Sequence, residues 1–148
     1  MNGIKIYTIG FTQLSAQKFF GKLIEAGVRK VVDARLNNRS QLAGFTKKDD
    51  LKYFLWAIAN IDYVHMSILA PSEKILAEYK NKRSDWNTYE RQFLSLMEER
   101  KIEKVVSPEE LDQTCLLCSE HLPEHCHRRL VAEYLKNKWR DVEIEHLV

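Results

Sequence analysis

Along IKIYTIG (4–10), apolar and polar positions alternate among β-branched residues, which predicts a strand ending at Gly10. The period then lengthens. Phe19, Phe20, Leu23 and Ile24 share one helical face, with Ser15 placed to cap it and Gly27 to stop it. RKVVDAR (29–35) predicts a second strand that runs into charges, and Thr46 the cap of a helix with Leu51, Phe54, Leu55 and Ile58 on its apolar face. IDYVHM (61–66) reads as a third strand. Pro71 is expected to open a short helix, and Ser84 a longer one with Trp86, Tyr89, Phe93, Leu96 and Met97 in phase. In SPEE (107–110) a Ser cap precedes Pro at the first helical position, and Glu110 completes a capping box. TCLLC (114–118) predicts a fourth strand. Leu130, Val131, Tyr134 and Leu135 give the next helix its buried face, and VEIEHL (142–147) is a closing strand with Val142, Ile144 and His146 on one side.

Strands alternate with helices from end to end, with no repeat and no linker. That order predicts one α/β domain over residues 1–148: three layers, Rossmann-like, with a mainly parallel sheet of about five strands. The lone glycine of TIG is not a dinucleotide fingerprint, which needs a longer glycine pattern opening a helix. Open parallel sheets bind ligands beyond the carboxyl ends of their strands. Here those ends carry Gly10 and Thr12, Asp33 and Arg35, His65, and Cys118 with Glu120.

Charge narrows the partners. With 23 basic and 21 acidic residues the net charge is only +2, too little to hold duplex nucleic acid by charge alone, although a local basic patch stays open. Apolar runs are too short for a membrane span and the N-terminus lacks a signal peptide's apolar core, so no membrane partner is expected. Three cysteines, an odd number, suit a reducing cytoplasm better than a disulfide framework.

All three lie in CLLCSEHLPEHCHRR (115–129), for which three chemistries compete. As a metal site, Cys115, Cys118, Cys126 and His127 would make a three-Cys, one-His set, or Cys118, His121 and Cys126 a looser one. Strand residues three apart point to opposite faces, however, so zinc is the lesser alternative and no cofactor is expected. As a thiol site, Cys118 ends a strand and Cys126 meets the first turn of a helix, whose dipole favours thiolate beside His125, His127 and Arg128. Glu120 and His127 could then move protons. As an anion site, Arg35 and Arg128 would clamp an oxyanion from adjacent strand ends, with Thr8, Gly10 and Thr12 on the same rim. The structural alternative is a buried Asp33–Arg128 ion pair that stitches two loops. Trp86 and Tyr89 are read as core or lid packing, YKNKRSDW (79–86) and KNKWR (136–140) as solvated segments, and His146 as an edge residue within reach of the site.

Taken together, TIGFT, VVDAR, YVH, LLCSE and CHRRLVAEYL resemble the domain of unknown function 488 family, from residue 4 to about 146. The resemblance implies a fold and a site but no established activity. It points to Cys118, Glu120, Cys126, His127 and Arg128, with Asp33, Arg35 and His65 as companions. This chain departs from the family pattern at Phe11, where a polar residue is common, and at ILAPS (68–72), where Leu-Gly is usual. The leading expectation is an enzyme acting on an anionic substrate, nucleotide-like or nucleic acid. Arg35 and Arg128 would bind it, Glu120 and His127 would handle protons, and a cysteine would be the nucleophile. The alternatives are a non-catalytic nucleotide or nucleic-acid sensor and a structural metal-binding module.

Overall fold

A computed structural model describes residues 3–36, 45, 47–118 and 125–148. Five strands form one sheet: β1 (Ile4–Gly10), β2 (Lys30–Asp33), β3 (Asp62–His65), β4 (Thr114–Cys118) and β5 (Val142–Leu147). All neighbours pair parallel, in the order β3-β2-β4-β1-β5. Their carboxyl ends therefore lie along one edge. Gly10 is in register with Cys118, and Asp33 with both Leu117 and His65.

Helices cover both faces, which makes the expected three layers. On one face α1 (Ala16–Ala26) and α2 (Lys48–Phe54) bury Phe19, Phe20, Leu23 and Leu51 against Tyr7, Ile9, Val31, Cys115 and Leu117. On the other, α4 (Trp86–Arg100) and α7 (His127–Trp139) bury Phe93, Met97, Val131 and Leu135 against Ile6, Val32 and Leu116. Each such large apolar side chain contributes on the order of 2 kcal/mol on burial. Three shorter helices, α3 (Glu73–Lys80), α5 (Ile102–Val105) and α6 (Pro108–Leu111), complete the second face. Among the described residues, no helix is long and apolar enough to cross a membrane.

Several local signals act as read. Ser15 accepts from the Lys18 amide, Gly27 ends α1 at φ 76°, and Ser107 with Glu110 forms the reciprocal capping box. Four expectations need correction. Ile24, predicted on the apolar face of α1, is exposed, and only Phe19, Phe20 and Leu23 of that face are buried. Ser72, not Pro71, caps α3, because a hydroxyl can accept the Ile75 amide and a proline ring cannot. Asp85, not Ser84, caps α4 by accepting from the Thr88 amide. Ile58 is exposed, because α2 continues into a π-turn over Leu55–Ala59 whose extra residue rotates Ile58 off the buried face. Thr46, read as a helix cap, lies outside the described residues.

Candidate functional site

β4 is buried at every position, and its alternation sorts its cysteines. Cys115 and Leu117 face the α1 layer, while Leu116 and Cys118 face the α7 side. Burial pushes the Cys115 thiol far above the usual thiol range, so it is an inert core residue. The four-ligand metal set is thereby corrected: Cys115 is on the wrong side of the sheet.

Cys118 meets Cys126 instead. Cys126 is the N-cap of α7 with extended backbone, φ −139° and ψ 140°, which turns its side chain back toward the strand end. The two Sγ atoms are in disulfide contact, although the Cα atoms stand 7.5 Å apart, wider than a disulfide ordinarily spans. This short-range bridge, eight residues apart in sequence, differs from the reading of three unpaired thiols, and it ties the end of β4 to the start of α7.

Arg128 lies beneath the pair, fully buried, and its Nη1 donates to Cys118 Sγ at 3.3 Å. A guanidinium stripped of water needs electron-rich partners, and a thiolate is one. Next to it, His127 Nε2 sits 2.7 Å from the carbonyl of Ala34. A carbonyl can only accept, so Nε2 carries the proton and Nδ1 keeps its lone pair. Burial lowers the His127 pKa to about 4; the Arg128 charge acts in the same direction, against the Ala34 hydrogen bond and Asp33. His127 is therefore neutral at pH 7.

The neighbouring strand end supplies a second cation. Asp33, fully buried, takes a fork from Arg35: Nε to Oδ1 and Nη2 to Oδ2, both 2.9 Å. The Tyr63 hydroxyl donates to Oδ2 at 2.6 Å. The ion pair at Asp33 is thus made with Arg35, two residues on, and not with Arg128 as in the structural alternative. The local fork closes without any long reach. His65 Nε2 donates to the Arg35 carbonyl at 2.7 Å, which fixes the backbone there. Phe11 lies under the Arg35 guanidinium, 5.4 Å from ring centroid to Cζ, in a cation–π contact.

These groups bound a cavity of about 160 Å³. Arg35, Cys118, Cys126 and His127 form its inner end. The outer wall is aromatic: Trp86 stacks on Tyr89 at 5.1 Å and on His125 at 4.8 Å, with Tyr79 4.9 Å from Tyr89. Lys80, exposed, stands at the rim. Tyr79 and Lys80 belong to YKNKRSDW (79–86), which the sequence predicts to be a solvated segment. Their role follows from α3 packing on α4, and the spacing of Tyr79, Trp86 and Tyr89 is the only trace of it in the sequence.

Of the expected site residues, Cys118, Cys126, His127 and Arg35 come together on the cavity. Arg128, Asp33 and His65 stand behind it as supports. Gly10 is beside Cys118 in register, and Thr12 follows in the turn after β1. Thr8 is engaged elsewhere: its hydroxyl lies 2.6 Å from His146 Nδ1, between β1 and β5. Glu120 and His121 lie outside the described residues. Among the described residues, Cys118, Cys126 and His127 could together hold a metal, with ligand atoms within 4.8 Å of one another, but the Arg128 charge beside Cys118 opposes a cation.

A family described as "Domain of unknown function DUF488" matches residues 15–135. This span contains Asp33, Arg35, His65 and the whole cysteine segment, and leaves β1 and β5 outside. No curated protein and no solved structure matches the chain.

Proposed function

The chain belongs to the family described as domain of unknown function DUF488, and from that premise we propose that its cavity is the active site of a thiol enzyme acting on an anionic substrate. One observation carries the reading: the buried Arg128 guanidinium donates to Cys118 Sγ at the inner end of a cavity bounded by Arg35. A cation within hydrogen-bond reach of sulfur favours thiolate over thiol. In the reduced protein Cys118 is the nucleophile. His127, neutral, offers Nδ1 as a proton acceptor. Arg35 and Lys80 favour an anionic group, and the Trp86–Tyr89 wall suits a flat ring.

Size limits the substrate. A cavity of about 160 Å³ is close to the ~150 Å³ that admits a single benzene ring. It therefore takes a small anion or one arm of a larger one, such as the base or phosphate end of a nucleotide. The cytoplasm, a reducing compartment, is where such a thiol would be kept ready.

The test is a thermal-shift screen of reduced protein with nucleotides, sugar phosphates and aryl carboxylates. A ligand at a hundred times its Kd should raise stability by about 2.7 kcal/mol, or roughly 5–10 °C in the midpoint for a domain of this size. Lys80→Ala should weaken the shift, and Asp33→Asn combined with Arg35→Met should abolish it. If no anion in the screen stabilises the parent protein, the reading is wrong.

A further inference from the structure

A nucleophilic cysteine needs one sulfur, and this cavity holds two. Cys126 reaches the inner end from α7 while Cys118 arrives from β4, and their Sγ atoms meet although their Cα atoms stand 7.5 Å apart. The third cysteine is on the opposite face of the sheet. The two sulfurs are also inequivalent. Arg128 donates to Cys118, whereas Cys126 has α7's first turn behind it. One is equipped to attack and the other to follow.

We propose that Cys118 and Cys126 form a catalytic dithiol–disulfide couple that reduces small anionic disulfides, Cys118 attacking and Cys126 resolving. The proposal rests on the reading of Cys118 as an activated nucleophile and names the substrate's reactive group. In the first step the Cys118 thiolate attacks one sulfur of the substrate, R–S–S–R. The substrate S–S bond breaks, a Cys118–S–S–R bond forms, and one R–S⁻ departs. In the second step Cys126 releases its proton to solvent and attacks the Cys118 sulfur. The Cys118–Cys126 bond forms and the second R–S⁻ leaves. Two electrons pass from the protein to the substrate, and a dithiol reductant returns them.

The rest of the cavity fits an anionic disulfide better than a hydroperoxide. A peroxide has no use for an aromatic wall or for cations at inner end and rim, whereas a flat or compact anionic arm uses both. One arm of the substrate fills the space between Trp86 and Arg35, which puts its sulfur against Cys118.

The experiment uses reduced full-length protein with 5,5′-dithiobis(2-nitrobenzoate), an aryl carboxylate disulfide whose released thiolate is coloured. The parent should release two equivalents per chain and end as a Cys118–Cys126 disulfide with no aryl adduct, as read by intact mass and peptide mapping. Cys126→Ser should release one equivalent and keep the adduct on Cys118, and Cys118→Ser should react at least tenfold more slowly. The neutral 4,4′-dithiodipyridine, whose thiol is a comparably good leaving group, should oxidise the parent at least tenfold more slowly than the aryl carboxylate, against the ratio found for a small free thiol. If the parent ends with adducts on both cysteines, or the neutral disulfide is as fast, the couple is refuted while a fast Cys118 leaves the thiol enzyme standing. If Cys118 reacts no faster than a free thiol, both fall. The parent's end state is decided without any variant, so a misfolded mutant cannot obscure it.

Discussion

His127 is held neutral at physiological pH by its own burial, with Nε2–H fixed on the Ala34 carbonyl. The pH dependence follows from that. Its pKa in the fold, about 4, is below the ordinary 6.5, so the unfolded chain binds the proton more readily. The stability it supports is present above about pH 6.5 and is lost progressively as the pH falls to about 4. Thermal midpoints measured from pH 7.5 to pH 4 should show this acid limb. His127→Gln keeps a donor for Ala34 and removes the titration, so its limb should be flatter through that window. Cys115 and Cys118 make the same point about environment. They stand three apart in one strand, and pleat alternation alone makes one an inert core thiol and the other a cavity residue. That split was legible from the run TCLLC. The partner of Arg128 was not, because Asp33 had a nearer cation in Arg35 and a charge pattern carries no distances.

Among the elements, α3 is the weakest link of the cavity wall. It has no fully buried residue, yet it carries Leu76, Tyr79 and Lys80 to the cavity. Its start depends on Ser72, whose hydroxyl accepts the Ile75 amide at 3.1 Å. Ser72→Ala should cost about 1 kcal/mol, and the loss should be local. Native-state hydrogen exchange should speed up in Glu73–Lys80 with little change in α4 or α7. Uniform acceleration across all helices would contradict this assignment. The buried faces of α1, α4 and α7 were legible as periodic apolar positions, Ile24 of α1 excepted, and the α1 and α6 caps as their residue types. The π-turn after α2 was not, since its extra residue alters which side chains share a face without altering composition.

At the scale of the whole molecule, the site exists only because the sheet is parallel. The order β3-β2-β4-β1-β5 sets β2 beside β4 and brings Arg35, Cys118 and the start of α7 to one edge, although 83 residues separate the first two in the chain by their numbering (118 − 35). Strand–helix alternation made that edge foreseeable, and with it the pairing of the DAR and CHR segments. What it left out was the aromatic wall, because Tyr79, Trp86, Tyr89 and His125 come from three segments whose meeting is a matter of packing. The central claim is that this assembly makes Cys118 a stabilised thiolate facing an anion-binding cavity. The most direct test is the rate of alkylation at Cys118 in reduced protein as a function of pH, followed by peptide mass, in the parent and in Arg128→Met. The account predicts a half-maximal rate below about pH 7.5 in the parent, moving toward about pH 8.5 in the variant. A parent that titrates near pH 8.5, or a variant that matches the parent, would contradict it.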